Sequence, residues 1–251
     1  MYLPRAGIAI AWGTRADQAS EASPGISFLR RLERRDPLDT ARLVFLGTAS
    51  ASPLDDRFLT SIAIQADDRL YLLDCGAPVS TLLRRYGWAP TQLSRLFLTH
   101  FHPDHSSGLM PILVQQMMEG RRDPLPIAGP PGTSRRVQAL MEVGFLSPDD
   151  LPYVLPLENA AIDVGYGDAD FEVRFFKTTH LAPEKLAGRA PTRSSEVVAY
   201  GMRIQTCGHQ VVFSGDVGSI DDVEPALEGC TLLIHEPVSY THLTLPTILR
   251  V

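Results

Sequence analysis

Cysteine is nearly missing from this chain. Cys75, Cys207 and Cys230 are the only three in 251 residues, they lie far apart, and no CxxC pair occurs. A dispersed, odd-numbered set excludes a disulfide framework and a cysteine zinc knuckle and fits a reducing, cytoplasmic setting. Cys75 reads as a small buried residue rather than a nucleophile. Long apolar runs are missing too: nothing approaches the ~20 consecutive apolar residues of a membrane span, so no membrane partner is expected. The early run "AGIAIAW" is apolar but short. It follows only Arg5 and precedes the polar "TRADQASEASPG" without a clean cleavage site, which makes a poor signal peptide. Positive charge is in deficit, with a net charge of −6, so polyphosphate gains no general attraction. The pairs Arg84-Arg85, Arg121-Arg122 and Arg135-Arg136 are expected on solvated faces. No internal repeat is evident.

What is present suits one large domain with an appendage, since 44% hydrophobic content is ordinary for a globular core. Residues 1–40 read as an extension, residues 41–238 as the domain, and residues 239–251 as a tail unlike the rest. "RLVFLGTASASP" is a strand leading into a loop, and "TSIAIQADDRLYLLDCG" is a hairpin around Asp67-Asp68 whose second strand ends at Asp74. "VSTLLRRYGW" reads as a short helix and "LSRLFLTH" as a buried strand that delivers His100. "SSGLMPILVQQMMEG" has helical spacing, with Ser106 or Ser107 as N-cap and Met117-Met118 in the core. A strand in "LPIAGPPG" and a helix in "TSRRVQALMEVG" follow. "FEVRFFKTTH" alternates toward His180, "EVVAYGMRIQTCGHQVVFSGD" is a hairpin ending in Asp216, "DDVEPALEG" is a helix, and "TLLIHE" is a strand ending at His235-Glu236. Strand ends therefore deliver Asp74, His100, His180, Asp216 and Glu236. Hairpins first and mixed elements later suggest sheets packed face to face with helices outside.

The densest chemistry lies in "LTHFHPDHSSG", where His100, His102, Asp104 and His105 crowd together out of only seven histidines in the chain. A polar surface turn around Pro103 would account for any one of them. Four such groups after an apolar run are better explained by a shared positive partner, because only that makes so many lone pairs favourable together. His209, in a hairpin turn, is expected at the surface.

H-x-H-x-D-H followed by Gly108, with Asp74 in "LLDCG", His180 after a strand and Asp216 in "FSGD", resembles the metallo-β-lactamase superfamily. The resemblance spans roughly residues 42–237. "VFLGTASASP", "GLMPIL", "PLPIAGPPG" and "LLIHEP" are most similar to its ribonuclease Z and related phosphodiesterase branch. It implies an α/β fold, an αββα sandwich of two mixed β-sheets flanked by helices. By the family pattern His100, His102 and His180 hold a first metal, Asp104 and His105 hold a second, and Asp216 bridges them. The implied cofactors are two divalent ions, zinc first, with manganese or iron as alternatives. The implied nucleophile is a hydroxide shared by the metals, and Asp74 supports the histidine loop by hydrogen bonding. The implied function is a metal-dependent hydrolase acting on phosphodiesters. Lactonase, thioesterase or arylsulfatase activity on the same site, or a metal-binding module without turnover, stand as alternatives.

The pattern also breaks. The family expects a further metal-binding histidine well beyond Asp216, and a separate histidine paired with the glutamate that Glu236 matches as part of the catalytic machinery. His242 comes too soon after Glu236 for either. "SYTHLTLPTILRV" looks like read-through of sequencing adapter, so the expectation is a natural chain that continues beyond Val238 with the C-terminal part of the fold missing here. "LAPEKLAGRAPTRSSE" is too short for the long basic arm with which some ribonuclease Z enzymes clamp tRNA. A small phosphodiester or other ester is therefore expected as substrate, with RNA a further candidate, and a homodimer is compatible with the pattern.

Overall fold

The computed structural model describes residues 7–12, 40–52, 55, 57–182 and 197–236. Residues 13–39 of the expected extension, residues 183–196 of the segment "LAPEKLAGRAPTRSSE" and the tail at 239–251 lie outside these residues.

The first sheet has seven strands in sequence order: β1 (Gly7–Trp12), β2 (Thr40–Gly47), β3 (Ser61–Ala66), β4 (Arg69–Leu73), β5 (Leu93–Phe97), β6 (Ile127–Gly129) and β7 (Leu157–Asn159). The β2–β3–β4 meander is antiparallel, whereas β4 through β7 run parallel. The second sheet has the order β12 (Leu232–Glu236), β11 (His209–Asp216), β10 (Ala199–Thr206), β9 (Phe171–Thr178), β8 (Gly165–Gly167). Four helices occur among the described residues: α1 (Val79–Arg85), α2 (Pro103–Ser106), α3 (Leu109–Met118) and α4 (Thr133–Val143).

Sequence pattern explains the layering. "LVFL" in β2 is apolar at every position because both faces of that sheet are covered. Leu43 and Phe45 join Ile62, Ile64, Leu73 and Phe97 against Phe171, Val173, Phe175, Met202 and Phe213 of the second sheet. Val44 and Leu46 point the other way, onto Leu83, Ile112, Leu113, Val137 and Met141 of α1, α3 and α4. The outer face of the second sheet packs Val212 and Leu233 against Val217, Val223 and Ala226.

Five expectations are corrected. The run "GIAIAW", assigned to an extension, pairs in parallel with β2, Gly7 opposite Thr40 through Trp12 opposite Phe45. "DDVEPALEG" forms two 3-10 turns, Ile220–Asp222 and Glu224–Ala226, not an α-helix. Pro225 lacks the N–H that a helix interior requires. Neither Ser106 nor Ser107 caps α3, whose N-cap is Gly108. The Ser106 hydroxyl donates to the His102 carbonyl at 2.9 Å, and the Ser107 hydroxyl accepts from Ala77 N–H at 3.1 Å. Met118 is exposed rather than core. Arg121 also departs from its expected solvated face: it is buried, and its guanidinium donates to the carbonyls of Leu93, Asp123 and Pro124 and to Gln116 Oε1 at 2.6–2.8 Å. No helix among the described residues is long and apolar enough to cross a membrane.

Candidate metal centre

Most of the chemically interesting side chains follow the C-terminal end of a strand, and Asp104 and His105 lie on the short helix α2 just beyond β5. Asp74 follows β4, and His100 and His102 follow β5, in the parallel half of the first sheet. His180 follows β9, while Asp216 and Glu236 close β11 and β12. Strands β9, β11 and β12 point the same way, since β10 runs antiparallel to both its neighbours and β12 is parallel to β11. The two sheets thus present their carboxyl ends to one cleft, where exposed backbone groups and loops favour binding.

The turn that carries the cluster has no slack. A side chain on Gly76 would place its Cβ 2.4 Å from the Asp104 carbonyl oxygen, and one on Gly108 would meet Cys75 O and Val79 Cγ1 at 2.7 Å. Close backbone approach is therefore built in, and Cys75 N–H to His105 O (2.8 Å) and Gly108 N–H to Cys75 O (2.7 Å) bind the loop after β4 to the histidine loop. Cys75 is fully buried, and burial raises its thiol pKa, so it has no reactive thiolate character.

Asp74 organises the histidines. It is fully buried with φ at +56°, a left-handed conformation that aspartate tolerates better than most residues. Its Oδ1 accepts Thr99 N–H at 2.8 Å, and its Oδ2 accepts the Thr99 hydroxyl at 2.8 Å and lies 2.7 Å from His105 Nδ1. The Thr99 hydroxyl has one proton and gives it to Asp74, so its oxygen, 3.0 Å from His100 Nδ1, must accept the proton of that ring. By this assignment His100 Nε2 carries a bare lone pair. That nitrogen is buried and has no hydrogen-bond partner. The sequence resemblance singled out Asp74, whereas Thr99 escaped sequence reasoning, its only signal being its position between a strand and the first histidine.

The imidazoles converge. Ring centroids of His100 lie 4.6 Å from His102, 4.2 Å from His105 and 5.0 Å from His180. Burial, and then the neighbouring imidazoles, hold His100 well below the ordinary histidine pKa, and burial lowers His180 against the opposing pull of Asp216. Burial would also lower His105, but Asp74, Asp216 and Glu236 outweigh it and raise that ring well above the ordinary value. Burial would raise Asp216, yet its hydrogen bond to His105 and the nearby imidazoles keep it below the usual carboxylate range.

Asp216 divides its carboxylate between two groups. Its Oδ2 lies 3.2 Å from His180 Nε2 and 3.8 Å from His100 Nε2, and its Oδ1 lies 3.5 Å from His105 Nε2. One compact set of ligand-capable atoms comprises His100, His102, His180 and Asp216, and a second comprises His105, Asp216 and Glu236. Asp104 is buried, with Oδ2 3.6 Å from His105 Nε2. Glu236 Oε2, placed by sequence in the proton-transfer machinery, stands 4.0 Å from the same nitrogen, and its carboxyl is raised above its ordinary pKa by burial. His235 points away, with Nδ1 3.2 Å from Ser214 Oγ. A buried bare imidazole nitrogen, facing imidazoles and carboxylates with no thiolate, is a donor set that fits a divalent metal.

Residues 69–246 match the family model for the β-lactamase superfamily domain. The chain belongs to the metallo-β-lactamase superfamily. It is 30% identical over 231 residues to ribonuclease Z of Pyrococcus abyssi and 28% identical over 225 residues to ribonuclease Z of Methanothermobacter thermautotrophicus. Each match covers 77% of this chain and 73% of the relative. Among solved structures, human tRNase Z, short form, superposes with a TM-score of 0.61 at 21% identity, covering 77% of this chain and 76% of that one. The superposition supports the αββα fold expected from sequence, and the ribonuclease Z relatives agree with the branch that "VFLGTASASP" and "LLIHEP" indicated.

Proposed function

We propose that this protein is a metal-dependent phosphodiesterase of the ribonuclease Z kind, with RNA as the substrate class. The observation that carries the reading is the split carboxylate of Asp216, one oxygen toward His100 and His180 and the other toward His105. That division is what a residue shared by two cations requires. His100, His102, His180 and Asp216 would hold one ion, and His105, Asp104 and Asp216 the other, with Glu236 within reach. Bound there, two divalent ions, zinc foremost, supply a water that ionises near neutral pH and positive charge against the attacking and leaving oxygens.

The chain's own residues do the remaining work. Asp74 and Thr99 fix the tautomers of His105 and His100, so that both Nε2 atoms face the cleft. Glu236 is held at the rim, its N–H donating to Ser214 Oγ at 3.0 Å and its Oε2 accepting from Thr60 at 3.4 Å. There it can hold a proton at Oε2 beside the leaving group or orient a histidine that does so. The three free cysteines take no part.

The test is turnover of bis(p-nitrophenyl) phosphate, an aryl lactone, an aryl sulfate and a precursor tRNA by metal-loaded protein, before and after chelation. Diester cleavage that chelation abolishes and metal restores supports the proposal. Lactone or sulfate turnover without diester cleavage would replace it with one of those activities.

A further inference from the structure

His180 and Asp216 come from strands that do not touch. β9 and β11 are both paired to β10, which lies between them, so their ends are separated by about two strand spacings, roughly 10 Å. Something must draw the two loops across the start of β10 before both residues can reach one ion. Thr178 contributes one tie, its hydroxyl donating to the Asp216 carbonyl at 2.8 Å. The larger tie is Asp222. Its Oδ2 accepts the Thr179 N–H at 2.8 Å and the Thr179 hydroxyl at 2.9 Å from one loop, and the N–H groups of Gly218 at 3.0 Å and Ser219 at 3.2 Å from the other. Thr179 is the residue before His180, and Gly218 lies two residues beyond Asp216.

A carboxylate that merely capped the 3-10 turn Ile220–Asp222 would need only the donors of its own turn. Two of the four donors come instead from the loop after β9. From this convergence we infer that Asp222 is a positioning residue of the metal centre, clamping the His180 loop to the Asp216 loop so that His180 Nε2 and Asp216 Oδ2 are held 3.2 Å apart. The ionised carboxylate makes these bonds charge-assisted, and so stiffer than neutral ones. The inference rests on the metal-centre reading above.

Cobalt(II) titration, followed by the visible absorption of the bound ion, tests it in the full chain. Asp222→Ala is expected to weaken cobalt binding about tenfold and change the band shape, as loss of residues that orient metal ligands does, while the metal-free thermal midpoint stays within a few degrees. Asp222→Asn, which keeps a carbonyl oxygen for the four donors, should recover most of the affinity. Asp221→Ala should leave binding unchanged, because Asp221 accepts from Ser219 Oγ within its own turn. If Asp222→Ala does not fold, Thr179→Val, which removes one donor, should still weaken binding about threefold with the same change in spectrum. Wild-type affinity and spectrum in Asp222→Ala, or in Thr179→Val when that variant must decide, would overturn the inference. So would an equal loss in Asp221→Ala. Failure of the wild type itself to bind cobalt would instead overturn the metal reading and this inference with it.

Discussion

Replacing Asp74 by alanine should be among the most damaging single changes available to this protein, although Asp74 belongs to neither compact ligand set. The side chain is fully buried and accepts from Thr99 N–H, the Thr99 hydroxyl and His105 Nδ1. Alanine strands a backbone donor and an imidazole donor, each worth about 1–3 kcal/mol when left unpaired in the interior. It also forces a β-carbon with no local hydrogen bond into the left-handed region at φ +56°, at a cost of about 1 kcal/mol. The total is roughly 3–7 kcal/mol, a large part of the ~5–15 kcal/mol that stabilises a typical domain. Asp74→Asn keeps an acceptor and tolerates the backbone, so it should cost roughly half as much. Metal affinity should fall about 10–100-fold in the alanine variant, because His100 and His105 lose the chain that fixes their tautomers. Urea unfolding of metal-free protein and metal analysis after dialysis measure the two effects separately. An alanine variant within ~1 kcal/mol of wild type that still retains its metal would refute the reasoning.

Asp216→Ala should lower metal retention at both groups and reduce diesterase kcat by orders of magnitude, with near-native circular dichroism as the control for folding. Cys75→Ala should keep kcat but cost about 1–2 kcal/mol in urea unfolding, the loss of a sealed sulfur; abolished turnover in a folded variant would install a thiol mechanism. For Asp168, burial would raise the carboxyl pKa, but the hydroxyl of Tyr71 at 2.6 Å and the Arg69 guanidinium hold it below its ordinary 3.8. Because the folded-state value is the lower one, this stabilisation is present above pH 3.8 and disappears as pH falls through the folded value. Asp168→Asn should therefore cost on the order of 1 kcal/mol at pH 7, after discounting for solvent screening, and progressively less as pH falls below 3.8, read from denaturant midpoints. Gel shifts with intact tRNA should show weak binding that fades steeply with salt, given the net charge of −6, and tight binding at high salt would show contacts other than phosphate neutralisation.

Much of the centre was legible because strand ends are legible. An apolar run that stops at a histidine or an aspartate announces both the element and what it delivers, and His100, His180, Asp216 and Glu236 all sit where such runs end. The histidine cluster was legible from density alone. What escaped was whatever depends on three-dimensional neighbours. Thr99 looks like any threonine leaving a strand until its hydroxyl is seen between Asp74 and His100. Arg121 looks like half of a surface pair, yet it folds inward to donate to the carbonyls of Thr91 before β5 and of Asp123 and Pro124 before β6. "DDVEPALEG" has helical composition, but Pro225 breaks it into turns that bring Asp222 under the His180 loop. Ser106 and Ser107 have the chemistry of caps, but Gly108 is required where the chain passes within contact of Cys75 and Val79, and the serines are left to bond elsewhere.

These misses share a physical cause. Periodicity reports which face of an element is buried, and it does so locally, whereas a buried polar atom is satisfied by whichever donor or acceptor the topology brings near, across any distance in sequence. Asp74 reaches Thr99 and His105, 25 and 31 residues away, and Asp222 reaches Thr179 across 43. The metal-facing nitrogens and oxygens could be guessed from residue type because metal chemistry restricts the menu to imidazole, carboxylate and thiolate. The groups that orient them are not so restricted, since a hydroxyl, a carbonyl or a carboxylate can all hold an imidazole in place. One observation follows that is open to direct test in this fold. If orientation rather than ligand identity limits metal affinity, the double variant Asp74→Asn with Asp222→Ala should lose cobalt affinity by about the product of the two single losses, because the two residues act on different loops and share no hydrogen-bond partner. A loss far larger than that product would mean that the two clamps belong to one cooperative network spanning both sheets.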